Sequence, residues 1–165
     1  MKKEEAKKQV LSILVENQPG ALARIAGLFS GRGYNIESLA VAPTMDAAVS
    51  RMTIMTRGDH AVLEQIKKQL NKLINVLKVV EVRERRSVQR ELAMVKVTAS
   101  AEDRTELMRI VEIFRGRVVD VSHESYTVEI TGKTAKIEAF LELVKPMKVG
   151  DVARTGPIAL NREPL

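Results

Sequence analysis

The residues best suited to chemistry in this chain lie in one short segment, Glu16-Asn17-Gln18-Pro19-Gly20-Ala21-Leu22-Ala23-Arg24. The chemistry they offer is recognition of a small zwitterion rather than bond breaking. An apolar run stops at Glu16 and a helical pattern begins at Ala21, so the segment joins a strand to a helix N-terminus. There the first backbone N–H groups lack intrahelical acceptors, and the helix dipole favours a carboxylate. The Asn17 amide can accept from an ammonium and donate to a carboxylate, Gly20 lets a ligand approach the backbone closely, and Pro19 stiffens the turn. Asn35, just after Gly33-Tyr34, offers the same amide chemistry at the start of another strand. On residue types alone a plainer reading stands beside this one: Pro19-Gly20 is a turn, Asn17 a loop residue and Asn35 a strand start. Arg24 and Arg32 read as solvated helix-face cations, and Met52 and Met55 as sheet packing.

Other chemistries find little support. No cysteine is present, which removes disulfides, thiolate metal sites and cysteine nucleophiles. His60 and His123 fall in different halves without carboxylates at metal-ligand spacing, and both read as surface residues. Neither a nucleophile elbow nor a phosphate-binding glycine run occurs. No catalytic residue and no metal ligand is assigned.

The elements that must position Asn17 and Asn35 follow from periodicity. Gln9 to Glu16 predicts a strand buried on both faces, and Leu22, Ile25, Leu28 and Phe29 recur at helical spacing until Gly31 and Gly33 supply a stop. Asn35 to Ala42 and Val49 to Thr56 alternate as a hairpin across Pro43 to Ala48, with Ile36 and Ala40 expected on one face. Asp59 can cap a helix carrying Val62, Leu63, Ile66, Leu70 and Leu73, and a strand from Val76 to Val82 follows. The order is βαββαβ.

The second half repeats it. A strand from Glu91 to Ala99 leads to a helix carrying Leu107, Ile110, Val111 and Phe114 that Gly116 ends. A hairpin, Arg117 to Val121 and Tyr126 to Thr131, leads to a helix carrying Ile137, Phe140, Leu141 and Val144 that stops before Pro146, then a short strand over Val149 to Ala153. The expected fold class is α+β, two ferredoxin-like βαββαβ sandwiches. The boundaries are a polar N-terminal extension at 1–8, a first domain at 9–83, a linker at 84–90, a smaller second domain at 91–154 and a loose tail at 155–165. Domains of this size bury only about 60% of their unfolded surface, so an oligomer is expected.

A chain of 165 residues with 45% hydrophobic and 29% charged content is in the globular range, and its polar start carries no leader-like or membrane-spanning run, so the cytoplasm is the expected compartment. The net charge of +6 raises a nucleic-acid reading, but cations and anions are interleaved along the chain. A ferredoxin-like RNA-binding module would stack bases on strand aromatics, and Val10 to Val15 and Ser50 to Met55 contain none. An amino-acid-responsive transcription regulator would need a helix-turn-helix segment, which the sequence lacks. Neither nucleic acid nor membrane is expected as a partner.

The run from Leu14 through Gly20-Ala21-Leu22-Ala23-Arg24-Ile25, with Gly27-Leu28-Phe29-Ser30-Gly31-Arg32-Gly33-Tyr34-Asn35-Ile36-Glu37-Ser38-Leu39, resembles the small regulatory subunit of acetohydroxyacid (acetolactate) synthase. The likeness continues at Val41-Ala42-Pro43-Thr44, Ser50-Arg51-Met52-Thr53-Ile54, Leu63-Glu64-Gln65-Ile66, Arg90-Glu91-Leu92 and Glu112-Ile113-Phe114-Arg115-Gly116. This resemblance implies an N-terminal ACT domain and a smaller C-terminal domain, in a non-catalytic subunit that activates a large catalytic subunit and confers feedback inhibition by valine. Thiamine diphosphate, FAD and Mg²⁺ would belong to that catalytic partner, and none to this chain. It further implies a homodimer through ACT domains, with effector sites formed by Asn17, Gly20, Ala21 and Leu22 of one copy facing Asn35 and Ile36 of the other. The hairpin from Thr44 to Val49 and the strand edges are the expected contacts with the large subunit.

Overall fold

A computed structural model describes residues 7–162. Most of the expected N-terminal extension, and residues 163–165 of the expected tail, lie outside the described residues. The chain forms two units, one comprising residues up to Val88 together with the segment from Ile158 onward, the other Gln89–Pro157.

The first unit contains β1 (Lys7–Glu16), α1 (Ala21–Gly31), β2 (Ile36–Pro43), β3 (Val49–Gly58), α2 (His60–Leu70) and β4 (Val76–Glu81). Its strands are hydrogen-bonded in the order β2-β3-β1-β4, all antiparallel, as βαββαβ connectivity requires when both helices cover one face. Alternation along β1 turns Leu11, Ile13 and Val15 toward Ile25 and Phe29 of α1 and Leu63, Ile66 and Leu70 of α2, which together form the core. Each helix end has a local cause. Asp59 accepts from the Val62 N–H at 2.8 Å and caps α2. At the end of α1, Gly33 adopts φ 70°, while its N–H and that of Tyr34 donate back to Ser30 and Phe29, a Schellman closure that requires the left-handed residue.

The second unit repeats the plan with β5 (Ser87–Thr98), α3 (Asp103–Ile113), β6 (Arg117–Val121), β7 (Ser125–Gly132), α4 (Thr134–Val144) and β8 (Lys148–Arg154), its strands ordered β6-β7-β5-β8. Ala93, Val95 and Val97 of β5 pack on Leu107, Ile110 and Val111 of α3 and Ile137, Phe140 and Val144 of α4. Phe114 meets Phe140 edge to face at 5.6 Å between ring centres.

The boundary between the units falls inside the expected linker at 84–90, between Val88 and Gln89, where Glu84–Arg86 form a 3-10 turn and β5 begins at Ser87. Other expectations are corrected. Within the expected tail, Ile158–Asn161 form β9, and Ala159 is buried against Val10 and Val82 of the first unit. Ile36 and Ala40 do not share a face, because a bulge between Ile36 and Ser38 flips the alternation, so Ile36 packs on the core while Ala40 pairs with Thr53 on the opposite face. In α1 the buried first-turn side chain is Ala21, and Leu22 is 41% exposed. At the end of α3, just before Gly116, the left-handed residue is Arg115, at φ 51°. Gly116 serves another need: a Cβ there would lie 3.2 Å from the Glu129 carbonyl oxygen of β7.

Candidate ligand-binding site

Gly20 occupies the N-cap of α1 in the left-handed region, φ 86° and ψ −12°, and no side chain caps the helix. Its Cβ position is open, so the backbone angle and not crowding calls for glycine. The Ala21 N–H turns back to the Gln18 carbonyl at 3.3 Å, and the Arg24 N–H opens the regular ladder on Gly20 at 3.0 Å. The N–H groups of Leu22 and Ala23 sit between them, at the positive end of the dipole, where a carboxylate is best received. Leu22 stands at this end with much of its side chain outward, an apolar surface beside a polar cradle. Ala21 contributes backbone only, since its methyl is in the core.

Asn17 follows the last residue of β1. Its N–H donates to the Ala48 carbonyl at 2.7 Å, and its Nδ2 donates to the Ala47 carbonyl at 2.9 Å. One amide hydrogen is thus committed to the β2–β3 hairpin, which leaves Oδ1 to accept from an ammonium and one N–H to donate. The hairpin is itself ordered by Asp46, whose Oδ1 accepts from the Ala48 N–H at 2.9 Å, and it turns Met45 fully outward.

Asn75, which no sequence pattern singles out, braces this candidate loop. It is 6% exposed, and its Nδ2 donates to Glu16 Oε2 at 2.8 Å while its Oδ1 accepts from Arg24 Nη1. Its carbonyl also accepts from the Glu16 N–H at 2.9 Å. Arg24 is exposed, as expected for a helix-face cation, but is also tethered by this bond, and the two ends of the Asn17–Gly20 loop are tied through one buried amide. The contacting residues are 59 and 51 positions apart, so no local pattern signals them.

Asn35 and Ile36 lie elsewhere. Strand register places Glu16 level with Val49, whereas Ile36 is level with Thr56, which pairs with Gln9. The rise from Gln9 to Glu16, at about 3.3 Å per residue, is roughly 23 Å. Within one chain Asn17 and Asn35 thus stand at opposite ends of the sheet, and a small zwitterion cannot touch both. Asn35 is exposed and its carbonyl accepts from Thr56 Oγ1 at 2.7 Å, while Ile36 packs partly into the core. Among the described residues, no group of three or more His, Asp or Glu is placed to hold a metal ion.

Comparison with known proteins follows the same division into halves. Residues 11–78 match the family model described as the AHAS small subunit-like ACT domain, and residues 90–163 match that described as the small subunit of acetolactate synthase. The probable acetolactate synthase small subunit of Methanothermobacter thermautotrophicus is 52% identical over 154 residues, covering 93% of this chain and 92% of that protein. The acetolactate synthase isozyme 3 small subunit of Escherichia coli is 51% identical over 156 residues, covering 94% and 96%. The crystal structure of the acetolactate synthase small subunit from Thermotoga maritima superposes with a TM-score of 0.89 at 42% identity, over 96% of this chain and 99% of that one.

Proposed function

The chain belongs to the acetolactate synthase small-subunit family, and from that premise we propose that it is the non-catalytic regulatory partner of a large acetolactate synthase subunit in branched-chain amino acid biosynthesis, with valine as its feedback inhibitor. The observation that carries the effector reading is the uncapped N-terminus of α1 at Gly20, flanked by the Asn17 amide and the outward side of Leu22. The valine carboxylate docks on the helix N–H groups, its ammonium on Asn17 Oδ1, and its branched side chain on Leu22.

Closure of the site requires a second copy. The separation of Asn17 from Asn35 along the sheet supports a two-fold pairing of ACT domains, in which the loop of one copy faces Asn35 and Ile36 of the other. Inhibition is a population shift: valine favours the arrangement of the holoenzyme that it binds more tightly, with coupling of about 1–3 kcal/mol in typical allosteric proteins. The hairpin bearing Met45, held to Asn17 through Ala47 and Ala48, is the element we assign to the large subunit. Thiamine diphosphate, FAD and Mg²⁺ are assigned to that subunit, where thiamine diphosphate supplies carbanion chemistry. The compartment assigned is the cytoplasm. Among the described residues no helix is long and apolar enough to cross a membrane.

Calorimetric titration with valine tests the site. Loss of a hydrogen bond to a charged group costs about 1.5–3 kcal/mol, so Asn17→Ala is expected to weaken valine by about ten- to a hundredfold. An unchanged affinity in folded Asn17→Ala protein, or a chain that stays monomeric when saturated with branched-chain amino acids, would overturn the reading.

A further inference from the structure

A pocket lies on the face of the first sheet that the helices leave uncovered. Leu14 of β1 stands in register between Arg51 of β3 and Lys78 of β4. Neighbouring strands are about 4.8 Å apart, so the two cationic residues spring from backbone roughly 10 Å apart with one leucine between them. Arg51 Nη1 donates to the hydroxyl of buried Ser12 at 2.8 Å, an uncharged partner. Among the described residues, neither Arg51 nor Lys78 forms an ion pair with a carboxylate. Arg51 and Lys78, on the strands either side of β1, carry the same charge on the same face, and an anion placed between them is attracted by both.

Val80, in register with Ser12, completes the floor, and Leu160 and Asn161 of β9 form a wall. The cavity measures about 230 Å³ and has two cations, a hydroxyl, an amide and aliphatic surface, with no acidic group in its lining. It also has no ring on which a nucleobase could stack.

We propose that this pocket binds a compact branched aliphatic carboxylate that lacks an ammonium group, at a site separate from the Asn17–Gly20 loop. The carboxylate bridges Arg51 and Lys78 through charge-assisted hydrogen bonds, and the branched carbons lie on Leu14, Val80 and Leu160. An α-ammonium would lie beside two cations with only the Asn161 amide and the Ser12 hydroxyl to accept from it, so charge repulsion makes the pocket discriminate against the amino acid of the same skeleton.

The probe is 3-methyl-2-oxobutanoate, which has the carbon skeleton of valine without its ammonium, titrated calorimetrically into the full chain. Saturable binding is expected in the intact protein, along with a loss of about tenfold or more in Lys78→Met and in Arg51→Met, the scale of one hydrogen bond to a charged group. Valine should not displace the oxo acid, and its own affinity should be the same in both variants. Lys78 is exposed, so Lys78→Met provides a folded test even if loss of the Arg51–Ser12 contact disturbs the sheet. No saturable binding at millimolar oxo acid, undiminished binding in Lys78→Met, or competition by valine would overturn the proposal.

Discussion

Asn75 joins Glu16 through a 2.8 Å hydrogen bond from Nδ2 to Oε2, fastening the start of β4 to the end of β1 where the candidate effector loop begins. The same amide accepts from Arg24, so one buried side chain holds strand, loop and helix in a fixed relation. Asn75→Ala would leave part-buried Glu16 and exposed Arg24 without this partner. The expected loss is about 1–3 kcal/mol, read as a lower urea midpoint. Asn75→Asp keeps the shape but sets a second carboxylate against Glu16, and should be no less destabilised than Asn75→Ala at neutral pH. A midpoint equal to the parent in Asn75→Ala would show that the network is ornamental.

Gly20→Ala isolates the cost of backbone conformation, because its Cβ would meet nothing within 4 Å while φ is 86°. A left-handed alanine costs about 1–2 kcal/mol, and Gly20→Asn should recover part of it. Thermal unfolding of the three proteins checks the order glycine, asparagine, alanine.

The end of α3 calls for the opposite exchange. Arg115 sits at φ 51° as the left-handed residue of a Schellman closure, with its N–H on Glu112 at 2.9 Å and that of Gly116 on Val111 at 2.8 Å. Arg115→Gly removes strain at a cost in unfolded-chain entropy, and should raise stability by up to about 1 kcal/mol. Gly116→Ala should lower it, since β7 crowds the added methyl. Denaturant melts showing the two changes with the same sign would contradict this division of roles.

Glu91 is buried at the start of the second sheet and is met by Arg154 Nε and by Thr134 Oγ1, the latter at 2.9 Å. Arg154→Met strips the cation from a buried carboxylate and should cost about 3 kcal/mol, the lower end of the usual range because Thr134 still donates. The hydrogen bond to Glu91 raises the Arg154 guanidinium above its already high ordinary value. A raised cation contributes its full stabilisation below its unfolded value and loses it only as pH rises through the folded one. Deprotonation of Arg154 therefore adds no pH dependence across the neutral range, and sets in only in strongly alkaline solution. Chemical denaturation at neutral and high pH, parent against variant, measures both effects.

Local information determined most of the architecture. Apolar spacing in Ile25 and Phe29, in Leu63, Ile66 and Leu70, and in the alternating β strands set the βαββαβ order, and Asp59 and Gly33 marked helix ends, because periodicity and capping act within a few residues. The Asn17–Leu22 segment was readable for the same reason: a strand end, a glycine and a helix start are neighbours in sequence. Tertiary structure decided what depends on distant partners. The bulge after Ile36 moved Ala40 to the other face, the Asn75 amide bound residues more than fifty positions away, and β9 returned to the first unit and walled the pocket at Arg51 and Lys78. Register and the satisfaction of buried polar groups are set by which strands meet, and no window of neighbouring residues contains that pairing.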